Sequence, residues 1–299
     1  VVCGSSPTRY QIISNESEIG RGDNRGEGER EVRIEPITET NNYLIVGGGG
    51  GSADPVSAAS GGGGGGGGVL RGILDLIAGQ TYQIIIGSSD QPSSAFGLTA
   101  HAGGRGAGNY GAATIGASGG GGGGWAISYG TPHPVGAEGI SGQGHRGGDA
   151  YGTDGDGNQP HTAGGGGGAG GPGGTGTIEK AGDGGNGIVS AISGTSTYYG
   201  GGGGGGAFGY NPYPVIPFNG VGGLGGGGQG GRDTTNIGAT AGLPNTGGGG
   251  GSAKFGGSGV VIISIFTDEY SGITTGAPEI TVIGEKTIIT FRESGSYTA

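Results

Sequence analysis

The sequence predicts an all-β fold in which a β-strand framework carries a polyglycine II helix bundle, with essentially no α-helix. Three observations carry that reading. Ninety of the 299 residues are Gly. Many of them fall in uninterrupted runs, at 47–51, 61–68, 119–124, 164–168, 200–206, 225–228 and 247–251. Apolar stretches with strand-like spacing stand at both ends of the glycine-rich region. Helical architectures are excluded because Gly costs about 1 kcal/mol per helical position relative to Ala. Collagen is excluded because Gly keeps no strict Gly-X-Y period.

Composition changes twice along the chain and divides it into three segments. Residues 1–42 hold 13 charged residues and only 5 Gly, a polar N-terminal arm with short strands. Within the arm, Tyr10-Gln11-Ile12-Ile13 is a short strand candidate. Residues 16–31 read as a solvated loop, and Glu31 to Glu35 alternates with the period of 2 expected of a half-buried strand. The glycine-rich domain spans 43–266. It opens with Tyr43-Leu44-Ile45-Val46 and closes with Val260 to Phe266, an apolar run long enough for a strand buried on both faces. Between them, Leu70, Leu74 and Leu76 share one face. Ala78-Gly79 offers a turn, and Tyr82 to Ile86 is expected to return as the second strand of a hairpin. The last segment, 267–299, reads as β: Glu279 to Ile283 and Thr287 to Thr290 alternate around a Gly284-Glu285 turn.

Glycine runs alone are ambiguous, because Gly-rich linkers are flexible coils by default. Two features favour an ordered bundle. The runs are bracketed by apolar or aromatic residues such as Val69, Trp125, Tyr198, Tyr199, Phe208 and Phe255. Strands also anchor the region at both ends. A polyglycine II helix has three residues per turn and a rise of about 3.1 Å, so the run 61–68 would span roughly 25 Å. Without side chains, neighbouring helices approach closely and their backbone N–H and C=O groups pair between helices. Only such a cooperative lattice offsets the entropy of ordering so many glycines.

The net charge is −10, from 13 basic and 23 acidic residues. Phosphate contacts need a basic stripe, so neither nucleic acid nor a membrane is expected as a partner. No apolar run approaches the 18 residues of a membrane helix. Met is absent even at position 1, which suggests a processed or trimmed product, and the single Cys, Cys3, excludes a disulfide framework within the chain.

The stretch from Tyr43 to Gly51 resembles a known glycine-rich domain. So do Ala78-Gly79-Gln80-Thr81-Tyr82 with Ile84 to Gly87, Tyr198-Tyr199 before its glycine run, and Gly256-Gly257-Ser258-Gly259 leading into Val260. The resemblance covers 43–266 and is to the glycine-rich domains of bacteriophage tail-fibre and surface proteins. Relatives of that type include polyglycine-helix adhesins at phage fibre tips and the glycine-rich region of the anaplastic lymphoma kinase receptor. It implies a β framework carrying a polyglycine II bundle on an extracellular or virion surface, with no catalytic activity. In many such domains a strand of the form T-F-x-x-S-G-x-[YF]-T precedes the first glycine run. Here the matching text, Thr290 to Thr298, ends the chain. Residues 267–299 are therefore expected either to complete the sheet of the next subunit by strand addition, building a filament, or to fold back on their own domain. Ile280, Val282, Ile288, Phe291 and Tyr297 are the subunit-contact candidates.

Short motifs add little. Gly-x-Gly-x-x-Gly is meaningless in so Gly-rich a chain, and no Gly-Lys-Ser/Thr exists. Arg21-Gly22-Asp23 and Leu243-Pro244-Asn245-Thr246-Gly247 are chance-level matches to integrin and sortase signals. Asn15-Glu16-Ser17 is a glycosylation pattern. Asp154-Gly155-Asp156-Gly157-Asn158 starts like a calcium loop but lacks the closing carboxylate. His101, His133, His145 and His161 have no metal spacing, although His145 and Asp149 could meet. No enzyme activity, metal or cofactor is expected. Trp125 to His133 and the Pro-stiffened Tyr210 to Phe218 are the loops suited to contact, with Trp125, Tyr129, Phe208, Tyr210, Tyr213 and Phe218 as receptor-contact candidates. The expected function is a structural subunit of an extracellular or virion-surface fibre, assembled from copies of itself head-to-tail by strand complementation. The alternative is a phage-type adhesin that contacts a host surface glycan or protein.

Overall fold

The computed structural model describes residues 10–14, 32–36, 40–52, 61–108, 111–124, 135–152, 160–209, 218–233 and 235–299. Among them the chain is all β, with antiparallel sheets and no α-helix. In the arm, β1 (Tyr10–Ser14) pairs with β2 (Val32–Pro36).

The main sheet has five antiparallel strands in the order β14-β15-β12-β3-β4. β3 is Asn42–Val46, β4 Val69–Ile73, β12 Val260–Phe266, β14 Glu279–Ile283 and β15 Lys286–Phe291. β12 is central and buried along its whole length, as a run apolar at every position but Ser264 requires. β14 and β15 form the expected hairpin, with Gly284 at φ +59° in the turn. A second sheet has the order β13-β16-β5, from Ile273–Thr275, Gly295–Thr298 and Thr81–Ile84. β6 (Ser93–Ala95) and β7 (Leu98–Ala100) form a hairpin tied to it through the Ile85–Ser94 pair.

The hairpin expected around Ala78-Gly79 does not form. β4 pairs with β3 and β5 pairs with β16, so the two strands enter different sheets. The Gly79 turn, at φ +78°, carries the chain from one layer to the other. Apolar burial explains the split, because Leu74, Ile84, Ile45, Val261, Ile263, Ile265, Ile289, Phe291 and Tyr297 form one core shared by the two sheets. The opposite face of the main sheet, with Leu44, Val46, Val69, Val260, Ile262 and Ile288, packs on Ala169 and Tyr199 of the glycine body.

The glycine runs lie side by side and bond between runs. Run 61–68 is enclosed, and its partners rotate with a period of three. The N–H groups of Gly62, Gly65 and Gly68 donate to Ala107, Gly104 and His101. Those of Gly63 and Gly66 donate to Gly164 and Gly167, and those of Gly64 and Gly67 to Gly250 and Gly247. Carbonyls follow the same rotation: Gly65 and Gly68 accept from Gly50 and Gly47, Gly63 and Gly66 from Gly121 and Ser118, and Gly61 and Gly64 from Gly206 and Gly203. One run thus touches six others. An added Cβ would meet backbone in the same order, with Gly62 and Gly65 against Gly121 and Ser118, Gly63 and Gly66 against Gly203 and Gly200, and Gly64 and Gly67 against Gly50 and Gly47.

Outer runs have no further run to bond, and side chains take its place. Asp183 accepts from the Val221 N–H at 2.7 Å and Asn186 from the Leu224 N–H at 3.0 Å, again three residues apart. Gln143 accepts from the His101 N–H and Asp149 from the Gly136 N–H. The non-glycine residues of the body therefore satisfy backbone donors that would otherwise lack a partner.

Candidate functional site

Run 47–51 leaves β3, and run 61–68 feeds β4, the neighbour of β3. Residues 52 and 61, which flank 53–60, therefore stand at the end of the body farthest from the main sheet. Other runs end there too. Ser52 bridges Gly106, Gly62 donates to Ala107, Gly122 to Gly148 and Gly206 to Gly61. Two short strands cap this end: β8 (His161–Thr162) pairs with β11 (Ala207–Phe208), with Phe208 opposite His161.

Phe218 lies beside this cap and is 60% exposed. Its N–H donates to Glu179 and its carbonyl accepts from Ala181, so the backbone is held while the ring stays outside. The Arg232 guanidinium lies over the ring at 4.8 Å from its centroid, a cation–π contact. Arg232 reaches it because its backbone bridges Ala207 on one side and Ile237 on the other. The Arg232 Nε is buried without a hydrogen-bond partner among the described residues.

From Phe218 the exposed apolar residues continue at every third position. Phe218, Val221 and Leu224 form one row, and Ile237 and Leu243 form another, with the hydroxyl-bearing Thr240 between them. Run 225–232 lies between them, since Gly230 donates to Gly220 while Thr240 donates to Gln229 and Leu243 to Gly226. The rows flank a strip with little side chain, and they make one broad apolar face leading to the distal end.

His161, within the cap, is buried, and desolvation pushes its pKa below the ordinary 6.5. Below pH 6.5 the unfolded chain takes up a proton that the folded imidazole resists. Stability from this group is thus complete above 6.5 and declines as pH falls toward the lower folded value. His161→Gln is expected to remove that component, seen as a flatter dependence of the denaturation midpoint on pH just below 6.5.

The sequence candidates divide as follows. Phe208 and Phe218 both lie at the distal end. Trp125, Tyr129, Tyr210 and Tyr213 lie outside the described residues, as do Cys3, Asn15, Arg21 to Asp23 and Asp154 to Asn158. Sequence reasoning missed Arg232, and it weighed His161 only as a metal ligand, not as a buried residue of the cap. It missed the rows of Val221 and Leu224 and of Ile237 and Leu243 as well, although their spacing of three is in the sequence, and no sequence signal marks Arg232 as the partner of Phe218. Ile280 and Val282 are exposed on β14, whereas Ile288, Phe291 and Tyr297 are buried within the chain's own fold. Asp149 engages Arg146 at 2.7 Å, and Leu243 to Gly247 forms a turn at the sheet end.

A further cavity of about 490 Å³ lies between the main sheet and the hairpin of β9 (Ile188–Ser190) and β10 (Thr197–Tyr199), lined by Tyr43, Arg71, Ile192, Ile283 and Lys286 among others. Among the described residues no group of three or more His, Cys, Asp or Glu is placed to hold a metal, and no helix is long and apolar enough to cross a membrane.

No curated protein and no solved structure matches the chain. The profile of a glycine-rich domain matches residues 26–266, from before β2 to the last residue of β12. With most of its length matched and its glycine runs anchored between β3 and β12, the chain belongs to the glycine-rich domain family.

Proposed function

We propose that the chain is a receptor-binding module of an extracellular or virion-surface fibre, in which a polyglycine II bundle displays a contact surface at its distal end. The reading of the body as polyglycine II rests on the rotation of hydrogen-bond partners every three residues along 61–68, the repeat of that helix. Such a bundle is stiff, presents few side chains to proteases and holds its surface in a fixed geometry.

One observation carries the contact role: Phe218 is exposed at the end where the runs terminate, with Arg232 behind its ring. An aromatic ring held by a fixed backbone is suited to stacking on a sugar face or filling a protein pocket, because it loses little entropy on binding. Host surface glycan or protein is the partner class. Head-to-tail strand donation is the weaker reading. β15 sits between β12 and β14, and β16 between β13 and β5, so donating either would expose Phe291 or Tyr297.

A panel of bacterial cells and a glycan array test the proposal. The purified chain is expected to bind a subset of them. Phe218→Ala should weaken that binding by about 2 kcal/mol or more, roughly 30-fold, without lowering the melting temperature. Val189→Ala, at the sheet end, serves as the matched exposed control. Equal loss in both variants, or no binding to any surface, would remove the contact role.

A further inference from the structure

The free edge of β14 differs from the other edge of the main sheet. At the β4 edge, Arg71 donates to the Val189 carbonyl at 3.1 Å, tying that edge to β9. On β14 all five residues are exposed, with Ile280 at 44% and Val282 at 59%. β14 pairs with β15 and with no other strand among the described residues. Natural sheets guard such edges with Lys, an internal Pro, a bulge or a covering element. β14 carries no Lys, internal Pro or bulge, and the Gly194 turn between β9 and β10 touches it only at the Ile283 side chain, on the sheet face opposite Ile280 and Val282. Its one charge, Glu279, is held by Arg292 at 2.5 Å.

Backbone parity defines what the edge can accept. The β14–β15 hairpin closes on the Ile283–Lys286 pair across a two-residue turn, and that closing pair exchanges both of its hydrogen bonds. Ile283, Thr281 and Glu279 therefore direct their N–H and C=O groups toward β15. Ile280 and Val282 direct theirs to the free side.

We infer that β14 is a homodimer interface, pairing antiparallel with β14 of a second copy about a two-fold axis at Thr281. In that register Ile280 faces Val282 of the second copy, and Val282 faces its Ile280. The outward N–H and C=O groups of all four residues pair. Their side chains extend the core face to which Ile289 belongs, because Ile280 is already the register partner of Ile289. Glu279 falls opposite Ile283, so no like charges meet across the axis. Centring the pair on Ile280 instead would set Val282 against Pro278, which has no N–H to give. A second copy is thus the occupant whose hydrogen-bond parity, apolar pairing and charge all match β14. The contact is isologous and closes on itself, so it yields a dimer with a continuous ten-stranded sheet and not a filament.

Cross-linking reads the register directly. In a Cys3→Ser background, Thr281→Cys places its thiol opposite its own copy in a non-hydrogen-bonded pair, with Cα atoms about 4.5 Å apart and within disulfide reach. Ile283→Cys lies four residues from its own copy, about 13 Å away. The expected result is oxidative dimerisation of Thr281→Cys and none of Ile283→Cys, with the cysteine-free chain sedimenting at twice the chain mass. Val282→Pro removes only an outward N–H, and Ile280→Lys puts a charge in the seam. Each is expected to abolish the dimer while leaving the melting temperature of the domain within a few degrees. A chain that stays monomeric at its highest soluble concentration would overturn the inference. So would equal cross-linking of both cysteine variants, or a dimer that survives both edge substitutions.

Discussion

Replacing Gly64 with Ala is expected to destabilise the glycine body by about 3 kcal/mol or more, beyond the ~1–3 kcal/mol typical of side-chain overpacking. The added methyl would overlap the Gly50 carbonyl oxygen, a backbone atom that cannot rotate away. Gly50 is itself fixed from both sides, donating to Gly65 at 2.8 Å and accepting from Gly250 at 2.9 Å. Moving run 47–51 to admit the methyl therefore breaks bonds to two other runs. The usual gain from Gly→Ala, about 0.4–1 kcal/mol through a less free unfolded chain, is too small to offset this. Denaturant titration and amide exchange of residues 62–68 are the measurements. Gly171→Ala is the control, since its Cβ would meet nothing within 4 Å. A Gly64→Ala protein as stable as Gly171→Ala would mean that run 61–68 is not enclosed.

Phe291→Ala is expected to cost about 3–5 kcal/mol, the range for truncating a fully buried aromatic. Phe291 is 0% exposed, stands opposite Val261 in the sheet and packs in the core between the two sheets. It lies beyond residue 266, where the family match ends. The substitution therefore asks whether the C-terminal strands are integral to this domain. A shift in the denaturation midpoint with unchanged slope would answer yes. A loss below about 1 kcal/mol would mean that β15 does not seal its own core, and would return strand donation to first place.

Much of the strand framework was legible because its signals are local. Val260 to Phe266 is too apolar to sit anywhere but the sheet centre, and Gly284-Glu285 between two alternating runs is hairpin chemistry. The hairpin expected around Gly79 failed for a non-local reason, since Ile84 and Leu74 share a core although their strands enter different sheets. At the candidate site, Phe218 was visible as an aromatic in a Pro-rich stretch. Its partner was not, because nothing near Arg232 in the chain specifies which ring it will cover.

By itself the sequence determined the class: glycine content excludes helices, and apolar runs on both sides of the glycines require strands to anchor them. Only the tertiary structure decided which run lies beside which, that 61–68 is the enclosed one, and that β14 to β16 return to their own sheets. The reason is chemical. A glycine run carries no side chain to distinguish it from another run, so its neighbours are chosen elsewhere. The strands that lead into each run, and outer residues such as Asp183 and Asn186 that bond the last free amides, make that choice.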